Sequence, residues 1–442
     1  MSDKKKVSMY TLFIPREDGT YVVANTLSAA IVHINEKAYI DRLEEMMSDL
    51  KDGLVYDADN DMHEHFYESG IIVDEDVDEY SLALYAYEQR VVRDNKLNLT
   101  LLTTRQCNFR CVYCYEDFRD EHMSGEVYDN LLCYIEKSLQ DKLYNGVHIS
   151  LFGGEPFLPF NDVIDFLKKA KEICERYDMP FTSSATTNFS VVTPERFDML
   201  AQVNCNFYQV TIDGLPDDHN SRRVMVGGGG SFDAIVKNLK YAKSTEHEFK
   251  ICIRTNFDED SIQRADDFYP YIKENFDDPR FSIFFMVTTK LGGENNNSLN
   301  LIEGDAKVEA AAHVSTILAK LNLKNAISHT YTLPFHDICY ACKHNHFVVD
   351  VDGAIKKCTV ILDDKINNVG QLRPGGVLDI DHNEHSKWVC KHTQFTPECK
   401  DCDVFPICFG VNCPLNSRYN KNRKCNKEGI RRRILNECKF SE

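Results

Sequence analysis

Between residues 96 and 323 the chain switches six times from a short strand-like run to a longer segment with helical periodicity. The strand-like runs are 96–104, 146–152, 180–187, 207–213, 249–256 and 281–289. Helices are expected after them at about 124–141, 160–178, 193–204, 231–244, 261–276 and 305–323. Thr193-Pro194-Glu195 sets a cap, a first-turn proline and an early acid in order, and Ser231 and Ser261 are expected to cap the fourth and fifth helices. Six consecutive βα units imply parallel strands joined by right-handed crossovers. The fold class is therefore α/β, either a whole or partial barrel or a doubly wound sheet. In both, the chemistry gathers at the C-terminal ends of the strands.

The flanks read differently. Residues 1–95 combine short strands (Tyr10–Ile14, Tyr21–Ala24, Ala30–Ile34) with helices at about 36–51, 61–69 and 78–92, and an apolar turn at Gly70–Val73. This predicts a separate small α+β module. The last hundred residues are rich in Cys, Asn and Lys with little periodicity, so the expectation is that metal ligation rather than an apolar core holds them. The segments to test are 1–95, 96–325 and 326–442.

The net charge of −18 argues against nucleic acid as the main partner, because phosphate binding needs a basic footprint. The charge is uneven: residues 1–100 carry 10 Lys/Arg and 21 Asp/Glu, whereas residues 391–442 carry 11 and 6. The acidic start is a solvated surface or an attraction for a basic peptide. No run reaches the ~18 apolar residues of a membrane span, and the N-terminus has no signal-peptide pattern. A cytoplasmic protein is expected. In a reducing compartment, clustered cysteines point to metal or catalysis rather than disulfides. Of the 17 cysteines, three fall within Cys107–Cys114 and ten between Cys339 and Cys438. Cys133, Cys174, Cys205 and Cys252 stand singly on apolar patterns and read as small hydrophobes.

The first strand runs into Cys107, Cys111 and Cys114, a C-x3-C-x2-C loop. Three thiolates on one loop suit three irons of a cubane cluster and leave the fourth open. Structural zinc would want a fourth nearby ligand. With Tyr113 before the last cysteine, the loop resembles the signature of the radical S-adenosylmethionine (SAM) enzymes. The resemblance implies a 4Fe–4S cluster whose open iron chelates SAM, one-electron cleavage of the sulfonium, and hydrogen abstraction by the resulting 5′-deoxyadenosyl radical. Gly153, Gly154 and Glu155, followed by Pro156, resemble the family's GGEP motif, which holds the methionyl amino group. Thr187-Asn188 is similar to its T-N element, with Ser183 and Ser184 upstream as candidates for ribose or carboxylate contacts. Asp213, followed later by His219 and Arg222, would face substrate, and Arg254 would face SAM; a structural salt bridge or turn is the alternative for each. Gly227–Gly230 precedes no Gly-Lys-Ser/Thr, so it is not a P-loop, and is expected to be a mobile connection.

Cys342, Gly353 and Cys358, then Cys399-x2-Cys402-x5-Cys408-x4-Cys413 and Cys425, resemble the SPASM auxiliary-cluster extension of radical SAM peptide maturases. Four residues rather than three separate Cys408 from Cys413. The resemblance implies one auxiliary 4Fe–4S cluster on Cys399, Cys402, Cys408 and Cys425, and a second on Cys342, Cys358 and Cys413 with Cys339 as candidate fourth ligand. That makes three clusters with the SAM-binding one. Zinc is the competing occupant of the C-x2-C pairs.

The implied architecture is a partial (β/α)6 TIM-type barrel with an N-terminal winged-helix-like α+β module and an iron–sulfur C-terminal domain. The implied function is that of a peptide maturase. It would bind the leader of a ribosomal precursor peptide by adding it to a sheet edge within Tyr21–Ile34. It would take electrons from an external donor such as flavodoxin or ferredoxin, and form an intramolecular crosslink, with a Cys thioether preferred. Carbon–carbon or carbon–oxygen crosslinking, anaerobic sulfatase-type maturation and a non-enzymatic electron carrier or sensor are the alternatives. The sulfatase-maturing group carries Asp directly after the cysteine matching Cys358, where this chain has Thr359.

Overall fold

A computed structural model describes residues 4–49, 54, 56–57, 59–92, 95–291, 299–304, 306–325, 338–390, 395–410, 413–415, 425 and 427–440. By compactness the chain forms two units: Asn95–Ala326 with His344–Val389, and Met1–Asp94 with Ile327–Lys343 and Cys390–Glu442.

The first unit is built on six parallel strands, β1 (Leu97–Thr104), β2 (Val147–Gly153), β3 (Phe181–Thr187), β4 (Cys205–Thr211), β5 (Lys250–Phe257) and β6 (Phe281–Val287). Helices follow them at Gly125–Gln140, Phe160–Arg176, Pro194–Gln202, Phe232–Ser244, Ala265–Phe276 and Ala306–Lys320. Each strand pairs in parallel with its neighbour in sequence. A doubly wound sheet reverses its strand order part-way. No reversal occurs here, so the unit is a partial barrel.

Alternation along the strands makes two unlike faces. In β2, Val147, Ile149 and Leu151 are buried, while His148, Ser150 and Phe152 are half-buried. The helix that follows β2 buries an apolar face of its own, with Val163, Phe166, Leu167, Ala170 and Ile173. The half-buried set lines an inner face, and register carries it across the sheet: Ser150 stands beside Ser184, Gln209 beside Cys252, and Arg254 beside Phe284. That face is largely hydroxyl, amide and aromatic, the composition of a binding surface rather than of a packed core.

The sheet continues past the barrel. Strand β7 (His346–Val349) pairs in parallel with β1, and an antiparallel meander, β8 (Ala354–Lys356), β9 (Asn368–Arg373) and β10 (Val377–Ile380), extends it to ten strands. Two expected caps are absent. The Ser231 side chain makes no cap bond; Asn220 Oδ1 instead accepts from the Ser231 and Phe232 amides at 2.8 and 3.0 Å. The Ser261 hydroxyl is taken by Asp258 instead: it accepts from Asp258 N at 2.9 Å and donates to Asp258 Oδ1 at 2.7 Å. Gly227, Gly228 and Gly229 take φ of +89°, +85° and +94°, a run of left-handed backbone that glycine alone adopts freely.

The second unit holds the antiparallel sheet Thr11–Pro15, Tyr21–Asn25 and Ile31–Ile34, with helices Lys37–Asp49, Asp61–Glu68 and Glu79–Val92. The apolar turn expected near Gly70 ends in a strand, Ile72–Asp74, paired with Lys5–Val7. The expectation that the cysteine-rich segment buries no core is wrong. Val404, Phe405, Ile407 and Phe409 pack with Tyr10, Leu12, Val22 and Tyr87 in one apolar cluster that includes Cys402. The run is too short to show a period, yet its six residues from Val404 to Phe409 are apolar and another segment supplies the rest of the core. Thr26 Oγ1 donates to the Asp403 carbonyl at 2.6 Å, and the Arg90 guanidinium lies 4.9 Å from the Phe409 ring centre. Among the described residues no helix is long and apolar enough to cross a membrane.

Candidate active site at the cysteine loop

The loop leaving β1 carries Cys107, Cys111 and Cys114, all free thiols and half-buried. Its path is fixed by β2. Gly154 N donates to the Thr104 carbonyl at 3.1 Å and Glu155 N to the Gln106 carbonyl at 2.9 Å. A Cβ on Gly153 would stand 2.2 Å from the Thr104 oxygen, and one on Gly154 would stand 2.2 Å from the Gln106 oxygen. Gly153 also takes φ of +108°. The sequence suggested that this pair lets backbone approach a ligand; the close approach found is to the cysteine loop itself.

Glu155 is fully buried at the end of β2. It accepts from Thr187 Oγ1 at 2.7 Å, Asn188 N at 2.7 Å and Phe157 N at 3.2 Å. Burial raises its pKa to about 7, against the pull of those donors. Asn188 in turn donates to Asn108 Oδ1 at 2.7 Å and so ties the end of β3 to the cysteine loop. Ser184 lies lower on the inner face, within reach of Ser150 Oγ at 3.2 Å and His148 Nε2 at 3.1 Å. Arg254 is on the same face of β5, donating to Asn256 Oδ1 at 3.0 Å over the Phe284 ring.

Asp213 is fully buried just beyond β4. Its Oδ1 accepts from Asn256 N at 2.8 Å and Asn256 Nδ2 at 3.2 Å, and its Oδ2 accepts from the Tyr113 hydroxyl. The Asp213 amide donates to His219 Nδ1 at 3.2 Å, so His219 Nε2 carries the proton and donates to Ser231 Oγ at 3.1 Å. Ser231 Oγ donates to the Arg223 carbonyl at 3.1 Å, and Arg223 Nη1 donates to Tyr113 OH at 2.8 Å. The circuit Arg223, Tyr113, Asp213, His219, Ser231 thus closes on itself. Arg223 was not singled out in the sequence, where Arg222 took the attention. Arg222 pairs with Asp258.

The donor set fits a 4Fe–4S cluster. Burial pushes all three thiols of the loop upward in pKa, Cys114 to about 12, and the neighbouring thiols add to this for Cys107 and Cys114. Thiols that resist ionisation when crowded and buried gain from a cation that compensates their charge. Phe109 N donates to Cys107 Sγ at 3.4 Å. Among the described residues no three His, Cys, Asp or Glu side chains close on a single metal ion. A cubane takes one thiolate per iron, so its ligands stand farther apart than ligands sharing one ion.

The C-terminal cysteines divide between the units. Cys358 lies just beyond β8; its amide donates to Asn367 Oδ1 at 2.9 Å, and its sulfur accepts from Val360 N at 3.4 Å. Cys339, Cys342, Cys399, Cys402, Cys408, Cys413 and Cys425 belong to the other unit. Cys402 and Cys408 are buried, Cys413 and Cys425 exposed.

Residues 101–257 match the family profile of the Radical SAM superfamily. The chain carries a radical SAM domain. Over 220 residues the chain is 26% identical to Fe-coproporphyrin III synthase of Methanosarcina barkeri, covering 49% of this chain and 51% of the synthase. Over 345 residues it is 22% identical to the cysteine-type anaerobic sulfatase-maturating enzyme of Clostridium novyi, covering 71% of this chain and 86% of that enzyme. Its fold is similar to that of anSMEcpe with bound AdoMet and a Cp18Cys peptide, with a TM-score of 0.60, 18% identity, and 77% and 96% of the two chains covered. It is similar also to Streptococcus suis SuiB bound to the precursor peptide SuiA, with a TM-score of 0.55, 13% identity, and 96% and 99% covered.

Proposed function

We propose that this protein is a radical SAM maturase that abstracts hydrogen from a ribosomal precursor peptide and closes an intramolecular thioether from a peptide cysteine. The observation that carries this is the three-thiol loop fastened beside a polar inner barrel face, in a chain with eight further cysteines at the SPASM-like positions. The peptide-bound structures and the sulfatase-maturating relative support a peptide as substrate.

A 4Fe–4S cluster on Cys107, Cys111 and Cys114, with SAM beside it, supplies hydrogen abstraction when bound. The chain's part is to hold and orient. Gly153 and Gly154 let β2 grip the cysteine loop. Glu155, which accepts from Thr187 and Asn188, would hold the SAM amino group. Ser184, Asn188 and Arg254 offer polar contacts along the inner face. Asp213, with both oxygens taken by protein donors, acts through Tyr113 as a positioning residue. By resemblance to the SPASM extension, Cys399, Cys402, Cys408 and Cys425 would hold one auxiliary cluster, and Cys342, Cys358 and Cys413, with Cys339 as candidate fourth ligand, a second, with flavodoxin or ferredoxin as electron source. Ile31–Ile34 is an edge strand of its sheet and would accept a leader segment by strand addition.

Anaerobically reconstituted, dithionite-reduced protein should convert SAM to 5′-deoxyadenosine. Co-expression with a cognate precursor should remove two hydrogens and one alkylatable thiol per crosslink. No 5′-deoxyadenosine would make the chain an electron carrier or sensor. Anaerobic sulfatase-type maturation is the second reading, favoured by the 22% identity over 345 residues to the Clostridium novyi enzyme. It requires a hydrazide-reactive aldehyde in place of the lost thiol. Two hydrogens lost with every thiol intact would mean a carbon–carbon or carbon–oxygen bond.

A further inference from the structure

A second short sheet lies at the cysteine loop. Phe109–Cys111 pairs antiparallel with Arg223–Met225, and the register sets Arg223 directly opposite Cys111. Residues directly opposite in an antiparallel pair project their side chains to the same face, with Cβ atoms about 4.5–5.5 Å apart. Arg223 is only 6% exposed. Its Nη1 is spent on Tyr113 OH at 2.8 Å, its guanidinium lies 5.4 Å from the Phe109 ring centre, and its buried Nε has no hydrogen-bond partner among the described residues. No carboxylate pairs with it among the described ion pairs, in contrast to Arg222 with Asp258 and Arg105 with Asp350. A buried guanidinium stays charged, and a buried charge needs a compensating one. The anions within its surroundings are the Asp213 carboxylate, reached through Tyr113, and, once a cluster is bound, the thiolates of the loop, with Cys111 directly opposite.

We propose that Arg223 is the positioning and electrostatic partner of the cysteine loop. Its charge compensates the Cys111 thiolate, and its bond to Tyr113, passed on to Asp213, holds the loop against the end of β4. A cluster on that loop gains one negative charge when it takes one electron from dithionite. A fixed cation alongside favours the reduced form. This rests on the cluster-binding reading of the loop, which iron and sulfide analysis of the unmodified chain tests by itself.

The test is a redox titration followed by electron paramagnetic resonance on the full reconstituted chain, reading the signal that shifts when SAM is added, with amide exchange of residues 105–116 in the cluster-free chain. In Arg223→Gln, the ratio of reduced to oxidised cluster at fixed poise should fall about tenfold, equal to about 59 mV for a one-electron couple. Loop exchange should be faster. Arg223→Lys should restore the ratio to within about threefold of the unmodified chain while exchange stays fast, because ammonium keeps the charge and not the fork geometry. Tyr113→Phe should speed exchange and leave the ratio within the same range. An unchanged ratio in Arg223→Gln overturns the electrostatic role, and unchanged exchange overturns the positioning role. If Arg223→Gln takes up no iron, Arg223→Lys and the cluster-free exchange decide. An unmodified chain without iron and sulfide at the loop sinks the cluster-binding reading instead.

Discussion

Gly154 lies against Gln106 so closely that a methyl group in place of its hydrogen would stand 2.2 Å from the Gln106 carbonyl oxygen and 3.0 Å from the Cys107 amide. Both contacts are backbone, so neither can swing aside. Gly154→Ala should therefore push the cysteine loop off β2, at a cost of about 1–3 kcal/mol typical of overpacking. Melting temperature and iron per chain should both fall. Unmodified values of both would mean that the loop tolerates a displacement that the packing forbids.

Cys111→Ala should abolish 5′-deoxyadenosine formation and, with the three clusters proposed above, remove about one third of the iron and leave the auxiliary sites filled. Iron analysis with a nucleoside assay reads both. Product from this variant would remove the loop from the chemistry. Loss of nearly all iron would tie the auxiliary sites to it.

His219 sets a pH dependence of folding. Burial, helped by the charges of Arg223 and Arg222, lowers its pKa to about 2. Both nitrogens are engaged, with the Asp213 amide and with Ser231, and Phe232 covers the ring edge-on. The unfolded chain protonates near 6.5, so below that pH the unfolded state binds the extra proton. Stability from the neutral ring is complete above about pH 6.5 and is lost as pH falls toward 2, by at most about 1.4 kcal/mol per unit. Urea midpoints at pH 7.5 and 5.5 should differ in the unmodified chain and differ less in His219→Gln. Equal pH slopes in the two would contradict a buried neutral imidazole.

Arg105 and Asp350 form a buried ion pair, Nε to Oδ1 at 2.9 Å and Nη2 to Oδ2 at 2.5 Å, with Lys356 Nζ 3.1 Å from the same carboxylate. Removing Arg105 leaves Asp350 with Lys356 in place of two cations, so Arg105→Met should destabilise the chain by less than the about 3–5 kcal/mol of a fully stranded buried charge. The double change Arg105→Met with Asp350→Leu should cost less than the sum of its parts. Additive losses in urea unfolding would show that the two groups do not interact.

Much of this molecule is written locally. Helix periodicity placed Gly125–Gln140 and Pro194–Gln202 within two residues, because each buries one face and carries its own cap. The cysteine loop and Gly153-Gly154 were equally visible, as spacing and as glycine pairs are. Pairings between distant segments were not. Nothing in the residues around Arg223 says that they hydrogen-bond to those around Cys111, since register is decided by a partner 112 positions away and not by local propensity. For the same reason β7 was missed as a neighbour of β1, and the 404–409 run was denied a core that lies in the first quarter of the sequence.

The link between β7 and β1 has a consequence for biosynthesis. Thr100 and His346 share a hydrogen bond of 2.9 Å across 246 positions of sequence. A ribosome adding about 5–20 residues per second needs on the order of tens of seconds to bridge that gap. Throughout that time the oldest strand of the barrel has a bare edge able to pair with any other nascent chain. Shielding that edge until residue 349 emerges is a demand that this topology places on the cell that makes it.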